Sequence, residues 1–518
     1  MVFTDPRDSG YGRGLVWPEG GWANDTCIQR GSILTLPWIG DPLTPGIEAT
    51  EDAPRLRPEH VDLPRIPVQP IGWAAASQLL APMRGPSAPQ EWQGGLPLRY
   101  RLTGGPGVRA RLTVQQERKL VRSANVLATL RGRDAGAPGS ALGPRVLVGS
   151  HHDAWGFGAS DPTCGLIAVL EAARVLAEDA RRNGPLRRSV TFAAWGAEEF
   201  GIIGSTEYVE ARRAELERDG LLYVNLDAAA GGLVFSAAAT PDVRGLALDA
   251  LAVVRQPRRA PPAPLGPPAA LAPVEYAGSV RAAFAPGVPA APGAALHAPF
   301  GELGGGSDHA AFVALAAVPG VNLSAHGAEG TAYHSVYDDL AWYRATVGAD
   351  YASARLITEA SVALVARAAE APFAPIELAL APALVARHLA ALDPGHPLGA
   401  AFGELAAKAA AVDAALAADG PQLAAIEGHR RNIDELLQQW PKVWLDGEGL
   451  PERPWFKNLY VAPDETSGYA SWTLPGLRRA LAEGDAARIE YERGRLLGVL
   501  LCFEALLQRL NATLAEGE

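Results

Sequence analysis

The residues of this chain that could do chemistry are histidine and acidic side chains, most of which directly follow apolar runs of strand length. They are His151, Asp153, Asp161, Glu198, Glu199, Asp227 and His334. Imidazole nitrogens and carboxylate oxygens bind divalent ions such as zinc, and one carboxylate can bridge two ions. Two neighbouring ions polarise a scissile carbonyl and lower the pKa of a shared water molecule. This set of residues therefore predicts metal-assisted hydrolysis.

The two adjacent glutamates can take different roles. One of Glu198 and Glu199 can bind a metal ion while the other points at water as a general base. Asp153 lies just beyond His151, so it can accept the second N–H of the imidazole. Each residue alone has an ordinary alternative, because acidic residues and histidines after strands are often caps, turn residues or solvated helix starts. The joint pattern favours the metal site.

A parallel sheet would bring these residues together. Residues 145–153 and 188–199 are apolar runs of strand length, and residues 165–182 between them carry apolar side chains at helical spacing. Strand, helix and strand in this order predict a βαβ unit. Residues 220–229 and 317–325 continue the alternation. Ligands bind at the carboxyl ends of strands in such sheets, so these polar residues can converge there.

The remaining regions differ in amino-acid composition and in predicted secondary structure. Residues 1–125 are rich in Gly, Pro and Trp, which predicts short strands and long loops. Val2 and Phe3 read as the end of a buried strand, so we expect the chain to begin inside a domain. Residues 254–297 are dominated by Pro and Ala and predict a long surface excursion. After about residue 356, helical patterns predict a C-terminal helical bundle.

Composition narrows the classes of function. The chain has 518 residues and a net charge of −11, which disfavours nucleic acids and anionic membrane surfaces as partners. Arg, Glu or Pro interrupts the longest Ala-rich stretches, so we expect no membrane segment. The three cysteines are too few and too scattered for a disulfide framework or a CxxC metal site.

Four strings resemble, in order and spacing, the metal motifs of zinc peptidase family M28, in its glutamate carboxypeptidase II and transferrin receptor-like branch. They are HHDAWGFGASDP, FAAWGAEEFGIIGSTEY, YVNLDAA and YHSVYDD. Residues 29–46 resemble the second half of that branch's apical, protease-associated domain, and residues 450–477 resemble part of its helical dimerisation domain. A leading segment of the family has no counterpart, so we expect a chain that is N-terminally truncated relative to the family.

The resemblance implies an α/β fold in three parts. A partial, β-rich apical domain would occupy residues 1–125. A peptidase domain, with a mixed β-sheet flanked by helices, would occupy residues 126–370. A transferrin receptor-like helical dimerisation domain would occupy residues 371–518 and form a homodimer. The branch is secreted, periplasmic or membrane-anchored, which implies the same for a full-length form of this protein.

The resemblance also implies a role for each candidate residue. His151 and Asp227 would bind one zinc ion, Glu199 and His334 a second, and Asp161 would bridge them. Glu198 would act as the general acid/base that takes a proton from the bridging water and passes it to the leaving amine. Tyr333 would hydrogen-bond the oxyanion. The Asp161-Pro162 bond is expected to be either cis or an ordinary trans bond.

A structural calcium ion is a further implication of the resemblance. Glu207 and Glu210 match its carboxylate ligands, and Thr44 matches a contributor from the apical domain. The alternative is that the two glutamates only share one exposed helix face, which their spacing permits.

The substrate motifs of the branch are only partly present. Residues 319–327, which match an arginine patch for acidic substrates, contain no arginine, and Gly468 stands beside the retained Tyr469 where a lysine is expected. Residues 304–312 instead resemble the SDH motif of M28 aminopeptidases, which implies that Gly306, Ser307 and Asp308 contact substrate. We therefore expect an exopeptidase for small peptides, of carboxypeptidase or aminopeptidase sense, with no strong selection for acidic residues.

Three alternatives stay open. The chain could be a non-catalytic receptor or scaffold of the transferrin receptor type, which would bind no zinc at this site. It could be an inactive truncated fragment. Acyl transfer of the glutaminyl cyclase type is also conceivable on a related fold and would use one zinc ion per chain.

Overall fold

The computed structural model describes residues 1–33, 37–136, 142–259, 271–291, 293–423 and 426–515. The region up to residue 125 contains few regular elements. They are β1 (Val2–Phe3), α1 (Pro6–Ser9), β2 (Pro70–Ile71) and α2 (Trp73–Leu80), with short 3-10 turns between them. β1 pairs with β2 in parallel, although Val2 is 53% exposed, so the opening strand is not buried as predicted.

Short strands and long loops are therefore found in this region as predicted, but a β-rich domain is not formed by its described residues. Proline recurs along these loops, and a proline cannot donate to a strand ladder, which limits sheet formation. The apolar run over residues 32–40 forms no strand in its described part, and residues 34–36 lie outside it.

A six-stranded mixed sheet forms the centre of the molecule. The described strands between residues 126 and 327 are β3 (Val126–Leu130), β4 (Arg145–His151), β5 (Ser189–Trp195), β6 (Gly220–Asn225), β7 (Gly232–Ala239), β8 (Arg255–Arg258), β9 (Glu275–Ser279) and β10 (Gly320–Gly327). The order across the sheet is β3-β5-β4-β6-β10-β7, and β8 pairs only with β9. The edge strands β3 and β7 run antiparallel to their neighbours, whereas the four inner strands are parallel.

Helices cover the sheet, so the inner strands β4 and β6 are buried along their whole length. These helices are α3 (Cys164–Asn183), α4 (Ile203–Ala211), α5 (Arg213–Asp219), α6 (Arg244–Leu251), α7 (Val280–Phe284), α8 (His309–Ala316), α9 (Leu340–Tyr343) and α10 (Ala352–Glu370). Gly165 lets α3 approach β6 closely, since a Cβ at this position would lie 1.5 Å from the carbonyl oxygen of Leu226.

The register of the inner strands aligns their carboxyl ends. His151 at the end of β4 pairs with Trp195 at the end of β5, and Gly149 pairs with Asn225 at the end of β6. The residues that follow these three strands consequently leave the sheet at one edge.

Two segments differ from what their sequences predict. Residues 205–220 have the pattern of one helix, but the structure interrupts it at Arg212, whose φ of −122° and ψ of 20° separate α4 from α5. The predicted surface excursion over residues 254–297 is wrong for its described ends, which form β8, β9 and α7; residues 260–270 and 292 lie outside the described chain. The aromatic ring of Phe284 explains the difference, because it packs edge-on against Phe235 and Phe300 in the core.

The C-terminal region is a helical bundle with one small hairpin. Its elements are α11 (Leu380–Leu392), α12 (Pro397–Leu423), α13 (Glu427–Gln439), β11 (Val461–Pro463), β12 (Ser471–Thr473), α14 (Pro475–Glu483) and α15 (Ala486–Ala515). Trp440 and Trp444 pack against Phe503 of α15 at its centre. A buried ion pair between Arg188 and Asp434, with a closest distance of 3.2 Å, joins this bundle to the sheet.

Helix α15 is long and apolar enough to cross a membrane by length and composition alone, although no membrane segment is expected from the sequence. This is weak evidence for a span, because buried core helices pass the same test. One face of α15 is indeed buried in the bundle, through Leu496, Val499, Leu500, Phe503, Leu506, Leu507 and Leu510.

Candidate metal centre

The carboxylate of Asp161 lies between two histidines. Its Oδ1 atom is 3.1 Å from Nε2 of His151, and its Oδ2 atom is 3.2 Å from Nε2 of His334. Asp227 lies on the His151 side, with Oδ1 3.0 Å from Nε2, and Glu199 lies on the His334 side, with Oε2 3.1 Å from Nε2. The structure thus brings all five candidate zinc ligands together, in two pairs that share one carboxylate.

Both histidine rings are held by main-chain carbonyl groups. Nδ1 of His151 is 2.9 Å from the carbonyl oxygen of Asp153, and Nδ1 of His334 is 2.9 Å from that of Arg30. A proton on Nδ1 in each ring leaves Nε2 free to act as a ligand. Both Nε2 atoms face the carboxylates described above.

Asp153 contacts His151 differently from the prediction. Its carboxylate lies 3.7 Å from Nδ1, too far for a hydrogen bond, and the main-chain carbonyl takes that role. The carboxylate instead accepts the N–H groups of Glu198 and Glu199, at 3.0 and 3.2 Å. Asp153 therefore orients the turn that carries both glutamates.

Asp161 is positioned by Asp338, which is not among the candidate residues named from the sequence. The carboxylate of Asp338 accepts hydrogen bonds from the N–H groups of Ser160 and Asp161, at 2.8 and 3.0 Å, and from the Ser160 hydroxyl at 2.5 Å. The bond between Asp161 and Pro162 is cis, which is one of the two forms considered above. Asp338 stands in the YHSVYDD string, which was the available signal for its importance.

A chain of two hydrogen bonds fixes the carboxylate of Asp227. The Ser307 hydroxyl donates to Oδ2 of Asp227 at 2.6 Å, and the Asn225 amide donates to Ser307 at 2.8 Å. Asp308 is fully buried and accepts from Ser205 at 2.6 Å. Ser307 and Asp308 are buried and do not line the cavity, and Ser307 supports Asp227. That they contact substrate stays a prediction.

The residues present fit a bound cation. Ligand atoms of His151, Asp161 and Glu199 all lie within 4.8 Å of one another. Within the described chain, Oδ1 of Asp161 and Oε1 of Glu199 are buried and accept no hydrogen bond. Burying carboxylate oxygens without partners is costly unless a cation compensates their charge. Two imidazoles and three carboxylates are also a donor set that suits zinc.

Burial and mutual repulsion shape the ionisation of these carboxyls. Burial, followed by the neighbouring Asp161, raises the pKa of Glu199 to about 7. Burial, followed by the charge of Asp227, raises the pKa of Glu198 well above its ordinary value. Burial also opposes ionisation of Asp161, but the closeness of the His151 and His334 rings outweighs it and lowers the pKa of Asp161 to about 2. Asp161 is therefore the fixed negative charge at the centre of the cluster.

A cavity of about 550 Å³ opens onto the cluster, and its wall includes Asp161, Glu198, Glu199, Asp227 and His334. Tyr333 stacks on the ring of His334, with centroids 3.6 Å apart, and is 38% exposed. Tyr469 and Gly306 also line the cavity. Gly306 has a φ of +82°, and a Cβ there would lie 3.1 Å from the Tyr469 ring, so glycine suits this close approach.

Three arginines that are not among the candidates named from the sequence line this cavity, namely Arg30, Arg453 and Arg479. Arg453 and Arg479 are both paired with Glu465, at 3.5 and 3.3 Å. They come from the N-terminal and C-terminal regions, whereas the expected arginine positions over residues 319–327 belong largely to strand β10. Their contribution depends on how distant segments pack, which no local motif indicates.

The residues matched to the calcium site meet where the N-terminal region contacts α4. Glu207 accepts the N–H groups of Asp41 and Ala49, at 2.9 and 2.6 Å. Oε1 of Glu210 accepts the indole N–H of Trp455 at 2.7 Å, while Oε2 is buried and accepts no hydrogen bond in the described chain. The hydroxyl of Thr44 is likewise buried without a hydrogen bond there. Glu207 is thus 9% exposed and not part of an open helix face.

A mixed sheet with histidines and carboxylates gathered at its strand ends defines a hydrolase of the metallopeptidase class. Comparison with known proteins agrees, since residues 125–244 match Peptidase family M28 and residues 396–508 match the Transferrin receptor-like dimerisation domain. The chain belongs to peptidase family M28, and its C-terminal part is a transferrin receptor-like dimerisation domain. The family and fold class indicated by the four sequence strings are thereby confirmed.

Named relatives include both carboxypeptidases and aminopeptidases. The chain is 30% identical over 493 residues to a probable glutamate carboxypeptidase LAMP1 of Arabidopsis thaliana, covering 93% of this chain and 66% of that protein. It is 28% identical over 544 residues to aminopeptidase NAALADL1 of Rattus norvegicus, covering 96% of this chain and 69% of that protein. The chain thus spans about two thirds of the length of these relatives.

Among solved structures, a zinc aminopeptidase from Bacillus subtilis, BSAP, is similar over 48% of this chain and 50% of its own chain. The sequence identity in that comparison is 19%, and the TM-score is 0.32.

Proposed function

We propose that this protein is an exopeptidase that hydrolyses small peptides with two zinc ions. The observation that carries the proposal is the position of Asp161, whose two carboxylate oxygens lie 3.1 and 3.2 Å from the Nε2 atoms of His151 and His334. A carboxylate between two histidines, each with a further carboxylate beside it, is the arrangement that a bridged pair of ions requires. His151 and Asp227 would hold one ion, and Glu199 and His334 the other.

Zinc bound here would polarise the peptide carbonyl and lower the pKa of a water molecule. The protein groups would supply the rest of the chemistry. Glu198 lines the cavity beside the cluster, and Asp153 holds its main-chain N–H. It would take a proton from the attacking water and deliver it to the leaving amine. Tyr333, stacked on His334 at the cavity wall, would donate a hydrogen bond from its hydroxyl group to the developing oxyanion.

Small peptides fit the size of the cavity, whose wall is built from three parts of the chain. We propose that acidic side chains are not strongly selected. Arg453 and Arg479 are engaged by Glu465, so binding an acidic substrate there would require breaking existing ion pairs. Turnover of a dipeptide library blocked at either terminus would distinguish carboxypeptidase from aminopeptidase sense.

The zinc content of the purified protein tests the main proposal. Two zinc ions per chain are expected; one ion would favour the acyl-transfer alternative, and none would favour a non-catalytic scaffold. Glu198→Gln should lower turnover by about 10²–10⁴-fold while both ions stay bound, because this residue acts on protons. Glu404→Gln, at an exposed position of α12, is the control and should retain full turnover. Loss of zinc in Glu198→Gln would show that Glu198 is a ligand instead.

We further propose a structural calcium ion at Glu207, Glu210 and Thr44. Support comes from the buried Oε2 of Glu210 and the buried hydroxyl of Thr44, neither of which takes part in a hydrogen bond among the described residues. Oxygen atoms of this kind are the ligands that calcium prefers. A homodimer through the C-terminal helices is a third proposal, supported by the match to the dimerisation domain.

A further inference from the structure

Residues 29–32, named here the N-terminal strap, cross the cavity wall beside only one half of the metal centre. The N–H of Arg30 donates to the main-chain oxygen of His334 at 3.0 Å, and the Arg30 carbonyl accepts from Nδ1 of the same residue at 2.9 Å. The hydroxyl of Ser32 donates to the main-chain oxygen of Glu199 at 2.7 Å. The strap thus contacts both residues that would hold the second zinc ion.

His334 depends on such contacts because its backbone is unusual. Its φ of 56° lies in the left-handed region, which non-glycine residues adopt only when their surroundings hold them there. The two hydrogen bonds to Arg30 fix the backbone and the ring of His334 at once. Without them, the residue could relax and turn Nε2 away from Asp161.

The other half of the centre is held by different parts of the chain. His151 ends strand β4, and its Nδ1 atom meets the carbonyl of Asp153. Asp227 is fixed by the hydroxyl of Ser307, which Asn225 holds in turn. All of these residues belong to the sheet and its connections, and the described hydrogen bonds of the strap reach none of them.

We propose that the N-terminal strap sets the affinity for the ion at Glu199 and His334, and leaves the affinity for the ion at His151 and Asp227 unchanged. This inference rests on the proposed pair of zinc ions. Partners that orient a ligand without touching the metal typically change metal affinity by about 10–100-fold. Arg30 and Ser32 are in this sense positioning residues.

The test measures the two zinc dissociation constants of the full chain by competition with a chromogenic chelator. Ser32→Ala should raise one of the two zinc dissociation constants by about 10-fold. Arg30→Pro should weaken the same ion, because proline lacks the N–H that binds the His334 oxygen. Arg30→Ala is the matched control, since it keeps the main chain and should leave both constants unchanged.

A second set of variants identifies which ion responds. His334→Ala should leave one ion, held by His151 and Asp227. In that background Ser32→Ala should have no further effect, whereas Ser307→Ala should weaken the remaining ion by about 10-fold. Thermal unfolding of each zinc-free variant, compared with the zinc-free wild type, reports whether the fold is retained.

Several results would overturn the inference. If both zinc dissociation constants are unchanged in Ser32→Ala, or if both rise equally, the strap does not act selectively on the ion at Glu199 and His334. Equal effects of Arg30→Ala and Arg30→Pro would assign the effect to the arginine side chain. A wild-type protein that binds fewer than two zinc ions would instead contradict the proposed function, so the two failures are distinguishable.

Discussion

The carboxylate of Asp338 accepts the main-chain N–H of Asp161 at 3.0 Å, and its other oxygen accepts the N–H of Ser160 at 2.8 Å. Asp161 carries the carboxylate that lies between the two histidines, so the position of the centre depends on a residue that need not touch a metal ion. Asp338 and His334 also belong to one short string, TAYHSVYDD. One segment therefore supplies a candidate ligand and the support of the bridge.

Replacing Asp338 by Asn tests this relationship. An asparagine keeps one acceptor oxygen but places an NH₂ group against a main-chain N–H, so we expect a loss of roughly 1–3 kcal/mol in the free energy of unfolding. Zinc affinity should fall by about 10–100-fold, because the bridging residue is no longer held. Asp339→Asn is the control: Asp339 caps α9 by accepting the N–H of Trp342, and asparagine caps helices equally well. Unchanged zinc affinity in Asp338→Asn would contradict the prediction.

The five candidate ligands could be found from the sequence because their signal is local. Each follows an apolar run or sits in a polar string, and the strand register then brings the ends of β4, β5 and β6 to one edge. The supports were less visible. Arg30 and His334 are 304 positions apart, and only tertiary packing brings the carbonyl of one to the ring of the other.

The elements of the fold that the sequence did not predict also depend on tertiary packing. Strands β3 and β7 were not predicted; both are edge strands that pair with one neighbour, so packing on a partner decides them more than pattern does. The Pro- and Ala-rich composition of residues 254–297 predicts an exposed segment, yet the buried side chains of Val280 and Phe284 anchor α7 in the core. Ser307 sits in a string that resembles a substrate motif, but it is buried and donates a hydrogen bond to the candidate ligand Asp227.

Lys442 lies outside the metal centre and should make the stability of the fold depend on pH. Its ammonium group donates to the carbonyl oxygens of Ala316 and Ala317, both at 2.9 Å, and burial lowers its pKa to about 7. An unfolded chain keeps the ordinary value near 10.5, so between these values it binds one more proton than the folded chain. The free energy of unfolding from this group should therefore rise with pH, by at most about 1.4 kcal/mol per pH unit.

Thermal unfolding at pH 7, 8 and 9 checks this expectation. The wild-type midpoint should gain a contribution that rises with pH over this range, and Lys442→Met should remove that contribution. Asp242 interacts with Lys442, and burial raises its pKa to about 7, so its titration opposes the effect of Lys442 near pH 7. The comparison between Lys442→Met and the wild type is therefore read from the change between pH 8 and pH 9, where Asp242 is ionised in both states. Lys408→Met is the control, since the Lys408 side chain is 60% exposed. An identical pH dependence in Lys442→Met and the wild type would refute the role assigned to Lys442.

The proposed calcium site makes a prediction about stability. Calcium at 100 times its dissociation constant should stabilise the fold by about 2.7 kcal/mol and raise the midpoint of thermal unfolding. Glu210→Gln should abolish that rise, because it removes a charged ligand whose second oxygen is buried without a hydrogen bond in the described structure. Glu404→Gln should respond to calcium like the wild type. A calcium response that persists in Glu210→Gln would place the ion elsewhere.

Helix α15 offers the surface for the proposed homodimer. Small and apolar side chains at helical spacing form an exposed stripe along it, at Gly494, Leu497, Gly498, Leu501, Cys502 and Ala505. Leu497 and Leu501 are 45% and 55% exposed, although they lie within the region that matches the dimerisation domain. An apolar stripe on an otherwise packed helix is typical of a surface that a second copy covers.

Leu501→Glu should therefore convert a dimer into a monomer, because an unpaired carboxylate from each copy would be buried in the interface. Light scattering after gel filtration should show the mass falling by half, with turnover per chain as a second readout. Leu79→Glu is the matched control, since Leu79 on α2 is 42% exposed and lies outside the dimerisation region. A wild-type protein that is monomeric at micromolar concentration, or a dimer that survives Leu501→Glu, would contradict the assignment of this stripe.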